Sequence, residues 1–177
     1  MITVKLDAKD FYVSYPTTSA EFLKAASAFN AKEFNTRPVA GGWTPGQVVE
    51  HVTRSISSIA HALKASGNTV EREPDERVNE FKKLFLDFSV KYHSPKFVLP
   101  TLELHDKKKS VAELNSCFIA MQEAAEMVNL SESVKDPALG EMTKFEMLFL
   151  ALYHTQRHTR QLLNIYRDLQ PGKKADQ

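Results

Sequence analysis

Two histidines, His154 and His158, stand four apart in the stretch YHTQRHTRQLLNI. On a helix, residues at that spacing share one face, so the two imidazoles project side by side. Met147, Leu150, Ala151, Leu162 and Ile165 form an apolar stripe that turns both rings toward the core, while Gln156, Arg157, Arg160 and Arg167 fall mostly outside it. A buried imidazole needs partners for its two nitrogens, because an unsatisfied buried polar group costs about 1–3 kcal/mol. A shared metal ion satisfies one nitrogen of each ring. A pair of hydrogen-bonded core histidines answers the same need, so the spacing admits a metal without specifying one. A third ligand from another helix would tip the balance toward metal, and His51 is the best candidate. It lies beside Val48 and Val52, and Ser55, Ser58 and Ala62 follow along its own face. Those small side chains either leave room for something other than protein or permit close helix packing.

Composition removes several function classes. Lysine plus arginine total 23 against 22 acidic residues, a net charge of +1, so no global field draws the chain to DNA, RNA or an anionic membrane. The local basic run Lys107-Lys108-Lys109 is short and reads as a solvated loop. Cys117 is the single cysteine, which excludes an internal disulfide and fits a reducing compartment. MITVKLDAKD contains no apolar h-region, and no run of about 18 apolar residues occurs. A soluble, cytoplasmic protein is expected. The length suits one domain that buries a core without staples.

The elements that must position the histidines are announced by helix-start signals. In a capping box, a Ser or Thr oxygen accepts an orphan backbone N–H and a Glu or Gln three positions later reaches back. Thr18 with Glu21, Thr44 with Gln47, Ser110 with Glu113, and Thr143 with Glu146 all fit, and each opens an apolar-periodic run. Pro45, directly after Thr44, suits a first helical position. The resulting expectation is all-α: a four-helix bundle with helices at about 18–36, 44–66, 110–129 and 143–168 and a long crossover between the second and third. The second helix carries Val48, Val52, Ile56, Ile59 and Leu63 on one face; the third carries Leu114, Phe118, Met121, Ala125 and Val128. The crossover is too long for a structureless loop, and Val78, Phe81, Phe85 and Phe88 mark a short helix within it. No strand-like alternation of comparable length occurs, and the tail PGKKADQ reads as disordered.

Two stretches together resemble a known family. GGWTPGQVVEHVTRS, with Trp43 before the cap and His51 near its end, is similar to the second-helix signature of the DinB/YfiT-like metalloprotein superfamily. DPALGEMTKFEMLFLALYHTQRHTRQLLNI is similar to its fourth-helix signature, with the paired histidines and the following Gln161. The resemblance runs over nearly the whole chain and implies a four-helix bundle of unusual connectivity. It also implies a divalent metal, commonly zinc or nickel, held by His51, His154 and His158, all three of which are present. Members include transferases and isomerases that use small cellular thiols, and a homodimer is the assembly the family implies, in keeping with the many aromatic residues of the crossover.

Three neutral imidazoles would make a centre of net charge +2 with an open fourth position, as in catalytic rather than closed structural zinc sites. Such a position lowers the pKa of water toward about 7 or stabilises a thiolate. The expected function is a divalent-metal-dependent enzyme acting on a small molecule, either a hydrolase or a transferase using a low-molecular-weight thiol. The alternative is a non-catalytic metal-binding or stress-response module. Around the ligands, Gln161 is placed for support or packing, and Arg157 for an anionic substrate or for solvent. Ser55 and Ser58 are placed at the pocket. His61 is turned off the His51 face, His93 and His105 lie in the crossover, and Cys117 reads as an inert small hydrophobe.

Overall fold

A computed structural model describes residues 7–170. The tail PGKKADQ and the first six residues lie outside them. Six α-helices follow in order: α1 (Ala8–Ser27), α2 (Ala31–Phe34), α3 (Pro45–Lys64), α4 (Val78–Leu86), α5 (Lys107–Glu126) and α6 (Lys144–Leu169). Helices α1, α3, α5 and α6 make the bundle. Helix α3 packs on α5 and α6, α1 packs on the same two, and α4 lies against α6. The two helices joined by the long crossover, α3 and α5, pack together.

The two helices that carry the histidines start where the sequence says. Thr44 Oγ1 accepts from the Gln47 N–H at 3.2 Å and Gln47 Oε1 accepts from the Thr44 N–H at 3.0 Å. Thr143 and Glu146 repeat the arrangement at 3.0 and 2.9 Å. The other two boxes are not caps. Helix α1 begins ten residues before Thr18, capped by Asp7 with Asp10, so Thr18 is a buried mid-helix residue and Pro16 sits inside the helix. An interior proline costs about 3 kcal/mol, but Phe11, Tyr15 and Phe22 of this helix are fully or almost fully buried and outweigh it. The expected first helix also breaks: after Ser27 the chain turns and restarts as α2, capped by Asn30 with Glu33. Ser110 is likewise inside a helix, because Asp106 takes the cap and accepts from the Lys109 N–H. The lysine run expected as a loop is therefore the first turn of α5.

Three short strands add to the bundle: β1 (Asn68–Thr69), β2 (Glu132–Asp136) and β3 (Gly140–Thr143), paired antiparallel in the order β1-β2-β3. Asp136 Oδ1 accepts from the Ala138 and Leu139 amides, and Gly140 takes φ +77°, which closes the β2–β3 turn. Thr143 ends β3 and caps α6, so the hairpin fixes where the histidine helix begins. The crossover contains α4, as its apolar spacing requires, with Val78 and Phe81 buried and Phe88 just beyond the helix end and exposed.

Glu146 pins the crossover to α6. Its carboxylate is fully buried and accepts two hydrogen bonds from the Arg72 guanidinium, at 2.6 and 2.8 Å, and one from the Arg77 backbone N–H. It also accepts from the Thr143 N–H of its own capping box. Removing one partner of a buried pair leaves the other uncompensated, at about 3–5 kcal/mol. Arg72→Ala, which strands the fully buried Glu146 carboxylate, is expected to lower unfolding stability by that amount in urea titrations, with Glu146→Ala costing less because the Arg72 left behind is partly exposed.

Candidate metal centre

His51 projects from α3, and His154 and His158 from successive turns of α6; all three are buried. The contact between α3 and α6 brings the rings together, with centroids 4.4 to 5.0 Å apart. One ligand atom from each ring lies within 4.8 Å of the others, and no carboxylate, thiol or fourth histidine joins them among the described residues. His51 Nε2 and His154 Nε2 are 3.0 Å apart.

The outer nitrogens decide which inner ones carry lone pairs. His51 Nδ1 donates to the Val98 carbonyl at 2.8 Å, and His158 Nδ1 donates to Gln161 Oε1 at 2.7 Å. Those bonds fix the tautomers and leave Nε2 of each ring as an acceptor. His154 Nδ1 is buried with no protein partner. Two neutral imidazoles whose Nε2 atoms face each other need a proton or a cation between them. Ligands of one tetrahedral ion with bonds of about 2.0–2.1 Å would stand about 3.3 Å apart, close to the spacing found. A divalent ion therefore fits these residues.

Burial is the main reason that all three rings stay neutral. It lowers the pKa of His51, against which the Val98 bond acts. His154 is pushed well down by burial, then by the neighbouring His158, His51 and Arg157. His158 is pushed down to about 3 by burial, then by His51 and Arg157, with the Gln161 bond opposing. Neutral imidazole is the form that binds metal.

The three rings sit on a cavity of about 470 Å³ between α3, α4, α6, the crossover and the hairpin turn. Ser55 and Ser58 line it; Ser55 is buried and donates its hydroxyl to the His51 carbonyl, whereas Ser58 is exposed. Ala62 packs partly buried against the core instead. Arg157 lines the cavity, but its guanidinium donates to the carbonyls of Phe85, Asp87 and Val90 at 3.1, 2.9 and 2.5 Å, and stands over the Tyr92 ring. His61 and His93 are exposed, and His93 reaches the cavity wall. His105 bonds Glu50 at 2.8 Å. Cys117 is half-buried, with its thiol pKa raised by burial and by Glu113. Sequence reasoning missed Val98, whose part is played by a backbone carbonyl with no side-chain signal. It gave Trp43 no role, although the ring stacks 4.8 Å from His51 and 6.5 Å from His158.

Two measurements follow from this geometry. Trp43 is the only tryptophan, so nickel added to the chelator-treated protein is expected to quench its emission saturably. Gln161→Ala should weaken that binding about 10–100-fold, the usual loss for an orienting partner, and an unchanged titration would detach Gln161 from the site. In the metal-free protein, unfolded histidines take up protons near about pH 6.5, whereas folded His154 and His158 do not. Their share of stability is therefore complete above that pH and is lost as pH falls toward about 3, the folded value of His158. The urea midpoint should drop between pH 7.5 and 5, and His158→Gln should make that drop smaller.

Comparison with known proteins places the chain among four-helix bundles of similar shape. A family model described as the DinB superfamily matches residues 15–162. No curated protein matches the chain. Among solved structures, YfiT from Bacillus subtilis, described as a probable metal-dependent hydrolase with an unusual four-helix bundle topology, aligns with a TM-score of 0.61 at 14% identity, covering 96% of this chain and 93% of that one. A conserved protein from Enterococcus faecalis gives 0.64 at 15%, covering 96% and 100%. TT2238, described as a four-helix bundle protein, gives 0.57 at 16%, covering 88% and 98%. At these identities the structures speak to the fold, while the family model covers most of the chain; the protein belongs to the DinB superfamily.

Proposed function

We propose that the protein is a divalent-metal-dependent enzyme, zinc or nickel being held by His51, His154 and His158, and that it acts on a small molecule in the adjoining cavity. One observation carries this reading: three buried, neutral imidazoles converge on a cavity of about 470 Å³ with no fourth protein ligand among the described residues. A closed structural site would be expected to fill its fourth position from the chain. When bound, the ion supplies Lewis acidity and brings the pKa of water or of a thiol toward neutrality.

The chain's own residues do the rest. Val98 and Gln161 hold the His51 and His158 rings by their outer nitrogens. Arg157 fastens the crossover over the cavity, which limits water around the reacting atoms. Hydrolysis is the preferred reaction, and it agrees with what is said of YfiT; transfer to a small thiol is the second. We further propose one DinB-like domain over residues 1–177, a cytoplasmic location, consistent with the lone Cys117, and a homodimer. Exposed Phe88, Tyr92, Phe97, Leu102 and Leu104 offer a surface for the last.

Protein purified without added metal or an affinity tag is expected to carry near-stoichiometric metal by elemental analysis, and His154→Ala to lose it. The loaded protein should turn over a member of an ester, amide and thiol-conjugation panel, with His51→Ala or chelation removing the activity by at least about 100-fold. Metal without turnover would leave the non-catalytic metal-binding or stress-response module. Light scattering should give twice the mass of one chain.

A further inference from the structure

The walls of the cavity bear on what can enter it. Ile59, Leu84, Phe85, Phe97 and Leu150 supply apolar surface beside the histidines. Arg157 is the only lysine or arginine in the lining, and three of its five N–H groups donate to the carbonyls of Phe85, Asp87 and Val90. The lining carboxylate, Asp136, is held by the amides of its own turn and adds negative charge. Ser55 has spent its hydroxyl proton on the His51 carbonyl. The polar residues Ser58, Tyr92 and His93 are exposed and belong to the mouth. An anionic tail carried into this space beside a metal-bound head would lose its water, and the one side-chain cation in the lining is already bonded to three backbone carbonyls. An alkyl or aryl group would lose nothing polar and gain burial.

Given an open metal position at the three histidines, which is the reading proposed above, we infer that the cavity takes a substrate that is apolar and uncharged beside its reacting group, such as a fatty acyl or neutral aryl derivative. It discriminates against acids and small thiols that carry a carboxylate there. The wall residues do this by composition, and Arg157 does it by being committed to the crossover rather than offered to a ligand.

The test uses simple hydroxamates, which ligate a metal through a constant head and differ only in the tail. Acetohydroxamate, butanohydroxamate, octanohydroxamate and the monohydroxamate of butanedioic acid are titrated into the zinc-loaded protein by calorimetry. Octanohydroxamate should bind at least about tenfold tighter than acetohydroxamate, because each buried methylene is worth roughly a factor of four at most. The butanedioic compound should bind at least about tenfold weaker than butanohydroxamate, since its carboxylate is left unpaired. Leu84, half-buried on α4 and facing the cavity, provides a gain-of-function check. Leu84→Lys should raise the affinity of the butanedioic compound several-fold relative to that of butanohydroxamate measured in the same variant. Affinity independent of tail length, or highest for the carboxylate-bearing tail, overturns the inference and leaves the open metal site standing. Failure of all four to bind a protein that retains its zinc overturns the open site itself, and the inference with it.

Discussion

His51 and His154 hold their Nε2 atoms 3.0 Å apart in a buried setting, where a single proton or cation must serve both nitrogens. An arrangement of this kind persists only where the surrounding chain over-determines it. The rings cannot relax by charging, since burial keeps His154 and His158 neutral well below the usual pH of histidine titration. They cannot swing away, because Trp43 lies against His51 and Phe85 meets His154 edge-on. Both helices that carry them begin at a reciprocal capping box, so their starting points are set by local hydrogen bonds.

The crossover is part of this frame rather than an appendage to it. At one end β1 pairs with β2, and Arg72 and the Arg77 backbone hold Glu146 at the start of α6. In the middle, Arg157 binds three of its carbonyls and Arg160 stacks on Phe88. At the other end Gln47 donates to the Thr101 carbonyl, and Glu50 accepts from Thr101 and bonds His105. A side chain at position 46 would place its Cβ 2.9 Å from the His105 ring, so Gly46 lets that ring lie on α3. Val98 lies inside this last attachment, and its carbonyl sets the His51 tautomer. A segment that walls the cavity is thus also the segment that orients His51, and loosening one must disturb the other.

The sequence carried the parts of this that depend on periodicity and local chemistry. Thr44 and Thr143 could be read as caps because proline at 45 and the flanking polarity agree with the apolar register that follows. Thr18 and Ser110 show the same short pattern, yet stronger Asp caps lie upstream, and the aromatic residues before Thr18 gain more from burial than Pro16 costs. The hairpin escaped notice because ESVKD and GEMT are short and mostly polar, so neither shows the alternation by which strands are recognised. His154 and His158 were legible as neighbours from helical spacing alone. Their convergence with His51 is a tertiary fact, for which helical position offered a candidate and the resemblance an expectation. Arg157 looked available for a ligand because a sequence cannot show that three backbone carbonyls will claim it.

Glu50 sharpens the chemical reading of the site. It precedes His51 in the chain, and a carboxylate there is an obvious candidate for a fourth ligand or a proton acceptor. Burial pushes its pKa up, but the bonds from His105, Thr101 and Arg54 together bring it below the ordinary range. All of those partners lie on the outer side of α3 or in the 101–105 segment, so the charge is used to hold the crossover down. No carboxylate, Glu50 included, joins the three imidazoles among the described residues. Under the proposed reading, activation of a nucleophile then falls to the charge of the metal rather than to a protein base, and selectivity to the apolar wall. On that reading the fold divides the work: α3 and α6 would hold the charge, and the crossover joins them in walling the space where a substrate would meet it.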